Sequence, residues 1–166
     1  MKQIILFIAL SLSVMVNAQE SESPVDKLFN KYANKDGFTT VNISGALLNW
    51  MGDAEKSDDD KVTTLLSKLS GIRILSVDDS ILNTKLNFYK ELEADGFFKN
   101  NHYESLLEVT EKDEVVRLYV RKGKDGKFAE MLLVVGGDDN ALISIRGSIN
   151  PNEIAKIAKQ VNVNVD

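Results

Sequence analysis

The stretch from Tyr103 to Gly147 constrains the fold most, because its pattern predicts four consecutive β-strands. The four segments are rich in β-branched and aliphatic residues, and they run YESLLEVT, EVVRLYVRK, FAEMLLVVG and ALISIRG. The connections at Glu111–Asp113, Gly123–Gly126 and Gly136–Asn140 are short enough to join antiparallel neighbours. A four-strand meander with an apolar face must bury that face, so we expect the rest of the chain to supply helices that cover it.

Alternation within the meander predicts which residues share a face. In the second strand aliphatic residues such as Leu118 alternate with polar or aromatic ones, and the last strand repeats the pattern. We therefore predict that the aliphatic set points inward and that four residues point outward as a candidate partner-binding face: Arg117, Tyr119, Arg121 and Arg146. Arginine and tyrosine are enriched at contact hot spots, and guanidinium groups this widely spaced favour an extended acidic partner surface over one small anion. The alternative is that they pair only with cross-strand acids such as Glu130.

The segments on either side of the meander complete the predicted fold. The pattern predicts two more strands, at Phe38–Ser44 and Ile72–Val77. It also predicts a long helix from about Ile81 to Asp95 and a final helix that starts at Asn150–Pro151. Trp50, the only tryptophan, is expected in the core. The prediction is a single α+β domain with a mixed sheet of about six strands, which includes a four-strand antiparallel meander. We expect the helices to pack mainly on one face of that sheet.

The first eighteen residues have the pattern of a cleaved signal peptide. Lys2 gives a positive start, Ile4 to Val16 is an apolar run broken only by two serines, and Ala18 completes a small-residue cleavage pattern before Gln19. The run is shorter than the roughly 20 residues that span a bilayer, so a signal peptide is favoured over a membrane anchor. We expect residues 1–18 to be removed, residues 19–166 to form the domain, and the product to be periplasmic or secreted.

Charge and cysteine content narrow the classes of partner and of attachment. The formal net charge of −5 argues against nucleic acid as the main partner, because phosphate contacts need a basic surface. The chain has no cysteine, which excludes disulfides and excludes lipid attachment to a cysteine at the cleavage point. The mature chain is therefore expected to carry neither a lipid anchor nor a transmembrane anchor.

No catalytic, cofactor-binding or metal-binding motif stands out in the sequence. His102 is the sole histidine, which excludes zinc sites that need two or more imidazoles, and no G-x-S-x-G elbow presents a serine. The Asp58–Asp60 run lacks the alternate spacing of a calcium loop. We expect its carboxylates to interact with the N-terminal amides of the helix that follows it in the chain. We predict that the protein is not an enzyme and assign no catalytic, cofactor or metal residue.

Five segments together resemble a known family: LFNKY, GFTTVNISGALL, LSKLSGIRILS, YESLLEV and AEMLLVVGGDDNALISIRGSI. They span nearly all of the chain after residues 1–18. In these segments the chain resembles the uncharacterised family of small exported bacterial proteins called domain of unknown function 4252. The resemblance implies export, one α+β domain and a role in envelope sensing, and it brings no activity, cofactor or catalytic residue. Some members of that family carry a lipid anchor, and this chain departs from them because it lacks the cysteine.

Three functions are compatible with these features. An exported, non-catalytic interaction module of the envelope comes first, with an envelope protein that has an acidic surface as its expected partner. A carrier of a small apolar ligand comes second, because the sheet–helix interface could enclose a pocket. An envelope hydrolase that uses paired carboxylates comes last, because no two of the 25 acidic residues are singled out by their spacing.

Overall fold

The computed structural model describes residues 23–54 and 60–152. Its strands form one sheet and are, in chain order, β1 (Phe38–Ser44), β2 (Leu69–Val77), β3 (Tyr103–Thr110), β4 (Glu114–Lys122), β5 (Phe128–Gly137) and β6 (Ala141–Ile149). The predicted strands are all present, and β2 starts three residues earlier than its predicted start at Ile72. The α+β class and the six strands are therefore confirmed.

The strands lie side by side in the order β1-β2-β6-β5-β4-β3, which confirms the meander β3 to β6. Every neighbouring pair is antiparallel, so the structure corrects the prediction of a mixed sheet. The reason lies in the connections on either side of β2. β2 returns alongside β1, and the meander starts at the far edge of the sheet, so that β6 reaches β2 running in the opposite direction.

The described helices are α1 (Asp26–Tyr32), α2 (Gly45–Ala54), α3 (Asp60–Leu66), α4 (Ser80–Lys85), α5 (Phe88–Ala94) and α6 (Phe97–Asn100). The long helix predicted from Ile81 to Asp95 is in fact two helices, α4 and α5. The break occurs because Leu86 is extended and because the Asn87 side chain caps α5, where it accepts a hydrogen bond from the Lys90 amide at 2.9 Å. An apolar stripe continues through the break, which is why its periodicity alone predicted one helix.

Two clusters of buried side chains lie on opposite faces of the sheet. The larger cluster joins α1 and α5 to one face through residues such as Phe29, Phe88 and Leu132, with Phe97 and Phe98 of α6 packed against it. We call this the helical face. The smaller cluster joins α2 and α3 to one end of the other face through Leu48 and its neighbours. The helices therefore cover mainly one face, as predicted.

Several predicted features lie outside the described residues. These are the leader, residues 1–18, together with Asp58 and Asp59 of the acidic run and the final helix beyond Asn152. Pro151 and Asn152 are helical, which agrees with the predicted start of that helix.

Candidate interaction surface

The four residues predicted as an outward partner-binding face lie on the helical face. Tyr119 is only 7% exposed, and its ring stacks on Phe98 with centroids 3.9 Å apart. Burial raises the pKa of the Tyr119 hydroxyl above its ordinary value. Arg117 lies with its guanidinium 3.6 Å from the centroid of the Tyr89 ring and donates to Glu108 at 2.7 Å. The predicted outward direction of these side chains is therefore wrong.

Arg121 belongs to a buried polar network around Glu130, which is 0% exposed. Oε2 of Glu130 accepts from Ser23 Oγ at 2.6 Å, from Tyr103 OH at 2.8 Å and from Arg121 Nη2 at 3.2 Å. Oε1 accepts from Ser144 Oγ at 2.6 Å. Burial first, and the Glu130 carboxylate second, raise the pKa of Tyr103 above its ordinary value. The network joins the segment before α1 to four strands, β3 to β6, so the pairing with Glu130 that the sequence offered as an alternative is present.

Arg146 belongs to a second buried cluster, whose centre is Asp26 of α1. Its Nη1 donates to Asp26 Oδ2 at 3.0 Å, and Nη1 of Arg73 donates to Asp26 Oδ1 at 2.5 Å. The Arg73 guanidinium also lies 4.6 Å from the centroid of the Phe29 ring. These contacts fix α1 to β2 and β6, and the two guanidinium groups share the Asp26 carboxylate.

The other face of the sheet carries an uninterrupted row of aliphatic side chains, one from each strand. The strand registers place its six members side by side: Val41, Ile74, Ile143, Leu133, Leu118 and Leu107. We call these six residues the central row. None of them belongs to, or packs against, either cluster of buried side chains formed by the described residues. At the edge strand β3, Leu107 is 51% exposed.

Three valines extend the central row on one side. Val135, Val116 and Val109 form the next row toward the strand ends, on β5, β4 and β3. With strands about 4.8 Å apart and rows about 7 Å apart, the two rows form a band about 24 Å long, and the valine row lies about 7 Å from the central row over β3 to β5. We call this band the open face. Contiguous apolar surface of this extent is typical of interaction sites in soluble proteins.

The strand ends next to these valines are acidic. Four loops meet there, at residues 33–37, 78–79, 111–113 and 138–140, and they carry seven exposed carboxylates against two lysines, Lys35 and Lys112. The seven are Asp36, Asp78, Asp79, Glu111, Asp113, Asp138 and Asp139. None of the seven forms an ion pair with another described residue. We call these loops the acidic end.

Among the described residues two clefts lie elsewhere, and charged side chains line both. One of about 630 Å³ lies between the α4–α5 junction and the acidic end, where Lys85 and Lys90 share it with Glu111 and Asp113. The other, of about 360 Å³, is lined by Arg73, Arg146 and residues of β1 and β2. In the described part of the chain no three histidine, aspartate or glutamate side chains are placed to hold a metal ion. No helix within residues 23–54 and 60–152 is long and apolar enough to cross a bilayer.

The family described as "Domain of unknown function (DUF4252)" matches residues 32–157, which is most of the chain. The protein belongs to this family. No curated protein matches the chain, and no solved structure matches it. The matched residues contain the whole sheet of this DUF4252 domain and begin at the last residue of α1.

The DUF4252 domain also carries exposed apolar residues that the sequence analysis assigned to the core. Trp50 is 68% exposed, which contradicts its predicted burial, and Leu47 and Met51 on the same helix are exposed too. α2 buries only a narrow side, at Leu48 and Gly52, because α3 and β2 contact it there. The signal for the open face was present in the alternation of the strands, but alternation does not say which face the helices cover.

Proposed function

We propose that this DUF4252 domain is an exported, non-catalytic interaction module of the cell envelope that binds a protein partner through its open face. The observation that carries the proposal is the central row, six aliphatic side chains in register that lie outside both buried clusters. Apolar side chains left together on a surface favour association, because covering them removes their area from water. The leader pattern at residues 1–18 supports export, and the resemblance noted above supports a role in the envelope.

The contacts of the helical face give its arginines an intramolecular role. Arg117, Arg121 and Arg146 each donate to a carboxylate of the chain itself, so an acidic partner surface has no free guanidinium pattern to meet there. The central row of the open face, by contrast, lies outside both buried clusters of the described residues. We therefore base the proposal on the open face.

The two alternative functions receive less support from the geometry. A carrier of a small apolar ligand needs a concave apolar cavity, whereas the open face is a band on a sheet and charged side chains line the two clefts. A hydrolase needs paired carboxylates that face a cleft. The buried carboxylates of the described residues, Asp26 and Glu130, instead receive donors from the fold itself.

The proposal is tested by capture from the envelope fraction with two matched variants. Ile143→Gln places an amide in the middle of the central row, and Ile81→Gln makes the same change at a residue of α4 that is 62% exposed and outside the open face. We expect proteins identified by mass spectrometry that the unchanged chain and Ile81→Gln retain and that Ile143→Gln loses. Leu118→Gln should lose the same proteins.

Two controls separate binding from folding and from export. Thermal melts of Ile143→Gln and Ile81→Gln should agree within a few degrees, because both side chains already contact solvent. If both variants retain the same proteins as the unchanged chain, the open face is not the binding surface. N-terminal sequencing of the exported product should begin at Gln19, and a product that still begins at Met1 would contradict export.

A further inference from the structure

We infer that the open face binds a basic amphipathic helix of a partner protein. The inference rests on the proposed function and adds the chemistry and shape of the occupant.

The dimensions of the open face suit one helix. An α-helix with its side chains is about 10–12 Å across, so its buried stripe can cover both rows, which lie about 7 Å apart. At 1.5 Å per residue, about 16 residues of helix span the band length of about 24 Å. Helices also cover the helical face of this sheet, so the fold already uses this kind of packing. The occupant therefore needs an aliphatic stripe along a helix of about four to five turns.

The charges beside the open face select a basic helix. The acidic end lies directly beyond Val109, Val116 and Val135, and its carboxylates have no ion-pair partner among the described residues. Lysine or arginine residues that flank the aliphatic stripe of a partner helix reach carboxylates such as Asp138 and Glu111. Complementary charge of this kind raises the association rate and discriminates against acidic helices.

The same charges disfavour a second copy of the chain as occupant. The chain has a formal net charge of −5, and two copies would each bring this repulsion to the interface. The arginines of the helical face do not offset it, because each of them already pairs with Asp26, Glu108 or Glu130. A basic partner removes the repulsion that a second copy would add.

The test uses three fluorescein-labelled peptides of about 18 residues, the length of five helical turns. The first is a leucine–lysine peptide with leucine on one helical face, the second replaces each lysine by glutamate, and the third scrambles the first. Fluorescence anisotropy is measured with the purified protein in its exported form. We expect the first peptide to bind at least about tenfold more tightly than the other two, with an affinity that falls as salt rises. Equal binding of the scrambled or the glutamate peptide would overturn the inference.

Matched variants locate the contact. Ile143→Gln should weaken the first peptide about tenfold, and Ile81→Gln should leave it unchanged. Asp138→Asn with Asp139→Asn should weaken it several-fold and flatten its salt dependence. Glu93→Gln with Asp95→Asn makes the same change in net charge on and beside α5 and should have no effect. If the two charge variants weaken binding equally, only the overall charge acts, and the acidic end has no special part.

Two further outcomes would name a different occupant and overturn the inference. Dimers in sedimentation equilibrium that Ile143→Gln dissociates would show that a second copy covers the open face. Tighter peptide binding by Ile154→Asp with Ile157→Asp would show that the chain's own last residues compete for it. Failure of the peptides alone leaves the proposed function standing, because the envelope capture does not depend on the charge or the helical form of the partner.

Discussion

The replacement Glu130→Gln tests whether the buried network holds the segment before α1 onto the sheet. The side chain is 0% exposed and accepts four hydrogen bonds, three of them on Oε2. Glutamine keeps the size of the side chain and removes its charge. The amide oxygen can keep the three donors only if the amide nitrogen faces Ser144 Oγ, which now donates at 2.6 Å and would have to turn and accept.

The expected cost follows from the kinds of hydrogen bond that change. A bond to a charged group contributes about 1.5–3 kcal/mol and a neutral one about 0.5–1.5 kcal/mol, so each of the bonds loses about 1 kcal/mol. Arg121 also loses its only carboxylate partner among the described residues, which adds to the loss. Because the bonds share one acceptor group, their losses overlap. We expect a decrease of about 3 kcal/mol in the free energy of unfolding.

Urea unfolding followed by circular dichroism measures this decrease, and a melt should show a midpoint lower by about 6–12 °C for a chain of this size. The matched control is Glu108→Gln, which removes the half-exposed partner of Arg117 and should cost less than about 1 kcal/mol. If Glu130→Gln costs no more than Glu108→Gln, the network does not stabilise the fold. Coupling between Glu130→Gln and Tyr103→Phe in a double-mutant cycle would show that the bonds act together.

Three other residues give independent expectations. The pKa of Tyr103 in the folded chain is raised above its ordinary value near 10. The stability that Tyr103 contributes is therefore lost as pH rises above about 10, by about 1.4 kcal/mol per pH unit. Tyr103→Phe should reduce that slope in urea unfolding across this pH range. Trp50 should be quenched by acrylamide as readily in the folded as in the unfolded chain, and Trp50→Ala should change stability by less than about 0.5 kcal/mol; a shielded, weakly quenched tryptophan would contradict its exposure. Asn140 is buried, donates to the Leu86 and Gly137 carbonyls and accepts from the Phe88 amide at 3.1 Å. Asn140→Ala should therefore lower the free energy of unfolding in urea by about 2–4 kcal/mol. A decrease below about 1 kcal/mol would show that other contacts hold the α4–α5 junction.

The sequence by itself determined the elements of the sheet. β-Branched runs separated by turn residues placed β1, β3 and β4 at their observed bounds and the other strands within a few residues. Local chemistry suffices for this, because strand propensity and turn geometry depend on neighbours in the chain. The meander followed as well, because short connections can join only antiparallel neighbours.

Only the tertiary structure decided which face of the sheet is covered. Alternation shows that Arg117 and Tyr119 share a face opposite Leu118, but a period of two is the same whichever face meets the helices. The decision came from distant residues: Asp26 of α1, Tyr89 of α5 and Phe98 of α6 receive the arginine and tyrosine side chains, so the face that looked polar in sequence is the covered one. The aliphatic central row is left open for the same reason, because burial is set by packing between segments far apart in the chain and not by the polarity of either segment alone.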